Sequence, residues 1–491
     1  MRIAIVPFSS LLQFDKNSMF LVFLDFAEWC FKNNKNVFFY WFIPHHAEGF
    51  LKNKLGDKEN NKIIAYEQIT KNYYDSFYTF DTKKFYLNFS RLGGKYPVDA
   101  VMTNSSAAIF LLQRLSSDIR RTTEYLVPVF CLEPTVKETR LIMSSQKYMF
   151  LDDYIRAVGY TTGNPIFLTT EEMSYAAKFT KKYVSPSMIK RMLERSTVLP
   201  LVVRTDLIDK LRQEIPKRTD KKVLFWGGRM SRVKRVDKIV KEYDYLFRFG
   251  RDLEIVITTS SLNERSYREV FKNAPEVRLL TGMGREDYLK EAVQAHILFL
   301  ASETEGFPVG FFEQMYAGLL PILPDKKWAR ATMIEGYPFF YRNRMEGAAM
   351  LRELYDNYEK YEIEWSEKIR EYIRNNFNED KVFGRLYEEI EKAIQPPKSY
   401  RLVAKNSFQL VEDSVKTFDQ NRFSLEELIQ RMRALSKTFN PASRTRNKSF
   451  SIYEIYRSVL ELGYQDECKK EMPFFVKKGN DNSIGLEENQ N

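Results

Sequence analysis

Cysteine and histidine are almost missing from this chain, with three of each in 491 residues. Cys30, Cys131 and Cys468 lie far apart and form no paired motif, which excludes a disulfide framework or a cysteine zinc site and leads us to expect a reducing, cytoplasmic setting. His45, His46 and His296 are too few for a histidine-based metal centre. The adjacent His45 and His46 would not converge on one ion in a regular element, so a solvated or packing role is expected of them. No apolar run reaches the roughly 20 residues that cross a bilayer. The opening MRIAIVPFSS is apolar for only a few residues and reads as a first strand rather than a signal peptide. Glycine is sparse, at 20, and no internal repeat is visible.

What is present is a well-stocked core, with 44% hydrophobic residues, 38 Phe and 29 Tyr. The length is too great for one ordinary core and suggests two or three domains. A formal charge of +11 allows a phosphate-rich partner or an anionic membrane surface without choosing between them.

Short apolar runs alternate with longer helical patterns, the mark of βαβ units and parallel sheets. In residues 1–214, strands are expected at Ile3–Val6, Val37–Ile43, Asp99–Thr103, Leu126–Leu132 and Pro165–Leu168, with a helix from Ser18 to Asn33. The loop Pro7–Asn17 and the loops after Thr103 and Leu132 would open on one edge. Asn104, Ser105 and Glu133 stand at such strand ends, either as ligand contacts or as helix caps and turn formers. The stretch from Lys178 to Arg195 is strongly basic and suits either a polyanion or a solvated helix face. A linker from Asp209 to Lys221 is expected to mark the boundary.

In residues 215–395, KKVLFWGGRM reads as a strand ending at Gly227 and Gly228, where the backbone can approach a ligand closely. Further strands are expected at Leu253–Thr258 and His296–Leu300. Arg229 and Lys234 follow the glycines and can clamp a diphosphate, one with a fork of donors and one with a mobile charge. The plain alternative is solvated surface charge. Later comes EGFPVGFFE, in which Glu305 and Glu313 flank a glycine-bearing turn and a helix start. Glu313 is suited to ribose hydroxyls and Glu305 to sugar hydroxyls. Paired carboxylates also serve hydrolases or simple charge pairing, but the adjoining phosphate clamp favours a nucleotide sugar. Glu303 is a further candidate on the same loop.

Arg229-x4-Lys234, then Glu305-x7-Glu313 and MYAGLLPIL, resemble the retaining GT-B glycosyltransferases of the family 4 type from Lys221 to Pro324, and more loosely from Met1 to Glu214. The chain departs from that pattern at Pro308, Gln314 and Leu320, and it has no histidine after the Thr103 or Leu132 strands, where many relatives place one near the sugar. The resemblance implies two Rossmann-like domains facing a cleft: an acceptor domain, 1–214, and a donor domain, 215–395. It also implies a nucleotide-sugar donor, UDP-glucose by family frequency, held by Gly228, Arg229, Lys234, Glu313 and the backbone at Phe307, Pro308 and Val309. Arg229, Lys234 and Glu305 would be catalytic. No tightly bound metal is implied, in keeping with the absent Asp-x-Asp motif.

Residues 396–491 fall outside the resemblance and read as a small basic helical extension, with helices opening at Ser424 and Ser451 in capping-box spacing. From Arg431 to Arg457 there are seven basic residues and one acidic residue, Glu454. That charge leads us to expect DNA as acceptor, through a hydroxymethylated base. The alternative is a polysaccharide or glycolipid acceptor at a membrane surface, and a further one is a nucleic-acid-binding protein without enzymatic activity.

Overall fold

The computed structural model describes residues 1–7, 18–56, 58–66, 98–104, 128–133, 149–228, 232–236, 238–239, 253–259, 277–394, 405–418, 422–435, 452–469 and 473–477. The first part of the chain gives β1 (Arg2–Val6), α1 (Ser18–Lys32), β2 (Phe38–Pro44), α2 (Glu48–Leu55), β3 (Asn61–Tyr66), β4 (Ala100–Thr103), β5 (Val129–Glu133), α3 (Met149–Thr162), β6 (Asn164–Phe167), α4 (Thr170–Thr180), α5 (Pro186–Arg195) and β7 (Thr197–Val198). All seven residues of β2, FFYWFIP, are buried. Such an unbroken apolar strand is what a sheet covered on both faces requires. The seven strands form one parallel sheet in the order β3-β2-β1-β4-β5-β6-β7.

The second part gives α6 (Asp206–Glu214), β8 (Lys222–Gly227), β9 (Leu253–Thr259), β10 (Val277–Thr281), α7 (Arg285–Val293), β11 (Ile297–Phe299), α8 (Val309–Tyr316), β12 (Leu320–Pro324), α9 (Lys327–Thr332), β13 (Phe340–Tyr341), α10 (Arg344–Asp356), α11 (Tyr358–Phe377) and α12 (Glu379–Ile394). Its parallel sheet runs β10-β9-β8-β11-β12-β13. Both sheets therefore reverse direction beside their first strand, between β1 and β4 and between β8 and β11. Such a switch point opens a crevice beyond the carboxyl ends of the strands. These are the two Rossmann-like units of a GT-B fold, facing a cleft.

Among the described residues, the two units meet at several points. Val203 N donates to Phe377 O at 2.9 Å, and α12 returns to the first unit, where Trp29 Nε1 of α1 donates to Asp380 Oδ1 at 2.8 Å and Trp29 and Phe26 pack on Phe383. Residues 209–214, read from sequence as linker, instead lie in α6, because Ile208 and Leu211 bury one face of it.

The extension contributes α13 (Lys405–Val415), β14 (Arg422–Ser424), α14 (Leu425–Leu435), α15 (Ile452–Glu461), β15 (Tyr464–Asp466) and β16 (Phe474–Lys477). The capping box at Ser424 is present: Glu427 N donates to Ser424 Oγ at 3.1 Å, and Ser424 N donates to Glu427 Oε2 at 2.6 Å. Besides the expected helices there is an antiparallel sheet, β14-β16-β15, packed on its own core of Val411, Leu428, Met432, Ile455 and Phe475. This unit docks at the amino end of β1. Arg2 Nε donates to Asp466 Oδ2 at 2.7 Å, and Tyr456 OH donates to Asp99 Oδ2 at 3.3 Å, all four side chains being buried. The described part of the extension thus sits at the end of the first sheet opposite the crevice, roughly 17 Å away along a five-residue strand. Most of its basic stretch, 436–451, lies outside the described residues.

Candidate active site

The two motifs singled out in residues 215–395 are brought to the β8–β11 switch point. β8 ends at Gly227. A Cβ there would meet Tyr288 Cε2 at 2.3 Å and Thr258 Oγ1 at 2.8 Å, so only glycine fits. Gly228 follows, its N–H donating to Thr258 O at 3.1 Å. Arg229 lies outside the described residues. The chain then makes a short 3-10 turn, Arg232–Lys234, and Arg235 takes a left-handed conformation at φ 51°, ahead of the helical residues that follow.

Lys234 is thereby turned inward. It is buried, 5.4 Å from the centroid of the Phe311 ring, and ion-paired with Glu305. Glu305 stands on the loop after β11 and is buried. A lysine ammonium and a carboxylate withdrawn from water together are costly unless they serve one another or a ligand. Glu303, two residues earlier, has a different part. It is partly exposed and meets Arg235 Nη1 and Lys238 Nζ, each at 3.2 Å, and Lys326 Nζ at 3.7 Å. Burial would raise its carboxyl, but these cations outweigh it and hold the pKa low. Its backbone N–H donates to Val233 O at 3.0 Å. Glu303 therefore staples this loop to the turn that carries Lys234.

Glu313 occupies the start of the second turn of α8, near the helix start as the sequence suggests. It is buried and ion-paired with Arg285, the first residue of α7. Burial raises its pKa above the ordinary carboxylate range, while the charges of Arg285 and Arg204 oppose the rise. Arg204 also pairs with Asp25 of α1, so its charge is shared between the two units. Burial raises Asp25 to about 6, with Arg204 opposing.

The loop between Glu305 and Glu313 is built as a wedge. Phe307 stacks on Phe312 at 4.7 Å and meets Phe377 edge-on at 5.1 Å, so its side chain belongs to the core. Pro308 O accepts from Phe311 N at 2.9 Å and from Phe312 N at 3.1 Å, starting α8. Val309 N already donates to Phe307 O at 3.0 Å. Of the three backbone positions expected to line a donor, Pro308 has no N–H and that of Val309 is engaged.

Three residues that motif reading did not assign hold the site together. Gln314 Nε2 donates to Gly227 O at 3.0 Å and to Gly310 O at 2.9 Å, and Tyr288 OH donates to Gly310 O at 3.0 Å. Arg285 is the third. Gln314 stood out in the sequence as a departure from alanine, and here it ties α8 to the end of β8. Nothing in the local sequence marks Arg285 or Tyr288.

In the first unit, Asn104 follows β4 at the other switch point, half-buried, and Glu133 closes β5. Ser105 and the loop 8–17 lie outside the described residues. His45 and His46 are exposed in a 3-10 turn directly after β2, on the same carboxyl edge of the sheet and two strands from β4, with His45 Nδ1 3.9 Å from Glu48.

Residues 208–376 match the family model of glycosyl transferases group 1. No curated protein matches the chain by sequence. Among solved structures, sucrose-phosphate synthase from Thermosynechococcus elongatus aligns with a TM-score of 0.59 at 12% identity, over 80% of this chain and 99% of that one. Anabaena HepE in complex with UDP-glucose aligns at 0.56 and 12% identity, over 80% and 100%. The lipopolysaccharide outer core galactosyltransferase WaaB aligns at 0.54 and 15% identity, over 80% and 99%. At these identities the likeness is one of fold. No helix among the described residues is long and apolar enough to cross a membrane. With its fold, its family match and its paired Lys–Glu and Arg–Glu site at the switch point, the chain strongly resembles the nucleotide-sugar-dependent glycosyltransferases of the GT-B superfamily.

Proposed function

We propose that this protein is a retaining glycosyltransferase that moves a hexose from a UDP-sugar to a hydroxyl of a polysaccharide or glycolipid at a membrane surface. The observation that carries the reading is the buried Lys234–Glu305 pair at the carboxyl ends of β8 and β11. A donor diphosphate entering the crevice gives Lys234 a new anion. It also frees Glu305 to accept hydrogen bonds from the sugar, while Glu313 exchanges Arg285 for ribose hydroxyls. Lys234, together with Arg229, then offsets the charge that grows on the departing diphosphate. The bond from the anomeric carbon to the β-phosphate oxygen breaks as the acceptor oxygen bonds to the same face. The acceptor proton passes to the departing phosphate oxygen beside it. Closure of the cleft keeps water from taking the sugar. UDP is favoured as the donor nucleotide by the HepE complex with UDP-glucose, whose fold this chain shares.

A glycan or lipid acceptor is supported by the neighbouring folds, one of which is a lipopolysaccharide core galactosyltransferase. It is also supported by the surface of α3–α5. There the exposed Tyr154 and Leu193 stand among the exposed Lys181, Lys182, Lys190 and Arg191, an apolar and basic mixture suited to anionic lipid. The DNA reading rests on the same helices and on 436–451, and the described part of the extension docks away from the crevice.

The test is label transfer from a panel of nucleotide sugars to a lipid and glycan extract and, in parallel, to DNA with and without hydroxymethylated bases. Label in lipid or glycan, lost in Glu305→Ala, is the expected result. Label in hydroxymethylated DNA alone would replace the acceptor reading. Acceptor binding with no transfer from any sugar would leave a binding protein.

A further inference from the structure

The donor-binding half carries a second cluster of guanidinium groups that the proposed reaction does not use. Between α6 and α11, the side chains of Asp209, Arg212, Gln213, Arg370 and Arg374 line an open pocket of about 490 Å³. All three arginines converge on Tyr316, the buried last residue of α8. Arg212 Nη1 donates to its carbonyl at 3.3 Å, Arg374 Nε and Nη2 donate to its hydroxyl at 3.1 and 2.9 Å, and the Arg370 guanidinium lies 5.0 Å from its ring centroid. Tyr316 OH in turn donates to Asp209 Oδ2 at 2.8 Å.

The charges here are unevenly matched. Asp209 and Glu367 both pair with Arg370, at 2.7 and 2.8 Å. Arg212 and Arg374 have no carboxylate within 4.0 Å among the described residues, and their hydrogen bonds go to the neutral tyrosine. Arg370 Nε is buried with no partner among the described residues. Burial first, and the like charge of Arg370 second, make Arg212 a weaker base than usual. One tyrosine does not need three guanidiniums to hold it. The hydrogen bond to Tyr316 first, and then the charges of Asp209 and Glu367, which Arg374 feels only at a distance, raise the pKa of Arg374. Two forks without a direct carboxylate partner beside an open, concave space are the chemistry that grips phosphate oxygens in pairs.

We propose that this pocket binds a compact phosphate-bearing anion, a phosphate monoester or diphosphate, at a site separate from the donor crevice. The pocket lies at the far end of α8, about 12 Å along an eight-residue helix from the wedge at Pro308. Glu313 is one turn from Tyr316, and Arg212 holds the terminal carbonyl of the helix. An occupant that draws Arg212 and Arg374 outward therefore acts on the helix that presents Glu313. The concave shape suits a small anion or a single lipid headgroup rather than a duplex.

The test uses the full-length protein and inorganic pyrophosphate, followed by titration calorimetry. Pyrophosphate also suits the donor crevice, so three proteins are compared: wild type, Lys234→Gln, and Arg212→Gln/Arg374→Gln. Binding that persists in Lys234→Gln and weakens about tenfold or more in the double arginine variant is expected. Circular dichroism melts report whether that variant is folded. Arg374→Gln alone, an exposed position that leaves the Arg212 bond to α8 in place, provides a milder second variant with a smaller loss. This outcome stands whether or not the crevice turns out to bind a nucleotide sugar. Vesicles of phosphatidylcholine with and without phosphatidic acid separate a lipid headgroup from a free anion, since pyrophosphate would compete only with binding through the same arginines. Unchanged pyrophosphate affinity in the arginine variants, a loss confined to Lys234→Gln, or no binding of either probe overturns the proposal.

Discussion

Arg285 reaches from the first turn of α7 to the buried carboxylate of Glu313 in α8, so the residue proposed to hold the donor ribose already has a cation on it. Arg285 is about half exposed, whereas the Glu313 side chain is 5% exposed. Because burial raises the folded-state pKa of Glu313 above its unfolded value, the charged carboxylate costs stability. That cost is absent while the carboxyl is protonated and appears as pH rises through its folded-state value. Glu313→Gln is therefore expected to melt higher than wild type at neutral pH without ligand, with the gap closing on acidification. The same variant should bind UDP about tenfold or more weakly. A lower melting temperature at neutral pH would show that the pair stabilises the fold.

Lys234 and Glu305 form the opposite case, since both are withdrawn from solvent. Removing either partner leaves the other charge buried, at a cost of about 3 kcal/mol or more. Lys234→Met and Glu305→Gln are each expected to lower the urea midpoint strongly, and the double variant to lose much less than the sum of the two. Turnover in Lys234→Met should fall about 100-fold or more if the ammonium offsets charge on the departing diphosphate. Strictly additive stability losses would mean that the two residues do not act as a pair.

Two glycines separate close packing from mere flexibility. Gly227→Ala places a methyl 2.3 Å from the ring of Tyr288, whose hydroxyl fixes Gly310. The variant should lose about 1–3 kcal/mol and raise the donor KM as the wedge shifts. Gly49, in α2, has nothing within 4 Å of a built Cβ. Gly49→Ala should instead gain about 0.5–1 kcal/mol, the ordinary helix preference of alanine. Equal melting temperatures for the two variants would refute the contact at Gly227.

The sequence is most legible where a strand is buried on both faces. β2 is an unbroken apolar run, β8 has one after Lys222 and β9 one after Glu254, and the structure places all three within a residue or two of their expected ends. β10, VRLLT, is a half-exposed edge strand, and β13 is two residues long, so neither has a period to read. The extension's sheet is hard to read for the same reason: RFS and YQD are too short and too polar to resemble strands, and only the packing of Phe423 on Phe475 brings them together. In the site, Lys234, Glu305 and Glu313 are legible because their spacing is a motif. Apart from the local bond of Gln314 to Gly310, Arg285, Tyr288 and Gln314 act through contacts 22 to 87 residues distant in sequence, which no local pattern records.

His296, the one buried histidine among three, gives the pH dependence its sharpest prediction. Its Nδ1 accepts from Val223 N at 3.0 Å, and its ring meets Tyr358 edge-on at 5.1 Å. Burial first, then the charge of Lys217 and more weakly that of Lys222, lower its pKa to about 4 against the opposing backbone bond at Arg218 and charge of Glu362. A proton would also remove the acceptor that Val223 N uses. The unfolded chain takes up that proton near 6.5, before the folded protein does. The stability tied to neutral His296 is therefore whole above pH 6.5 and is lost as pH falls from there towards 4. His296→Gln, which keeps an acceptor but does not titrate, should flatten the fall in urea midpoint over that window. It should leave the pH profile of sugar transfer unchanged, because His296 precedes β11 at the end away from the crevice. Three histidines are few enough to follow singly by NMR. A His296 imidazole that titrates near 6.5 in the folded protein would remove the basis of this prediction.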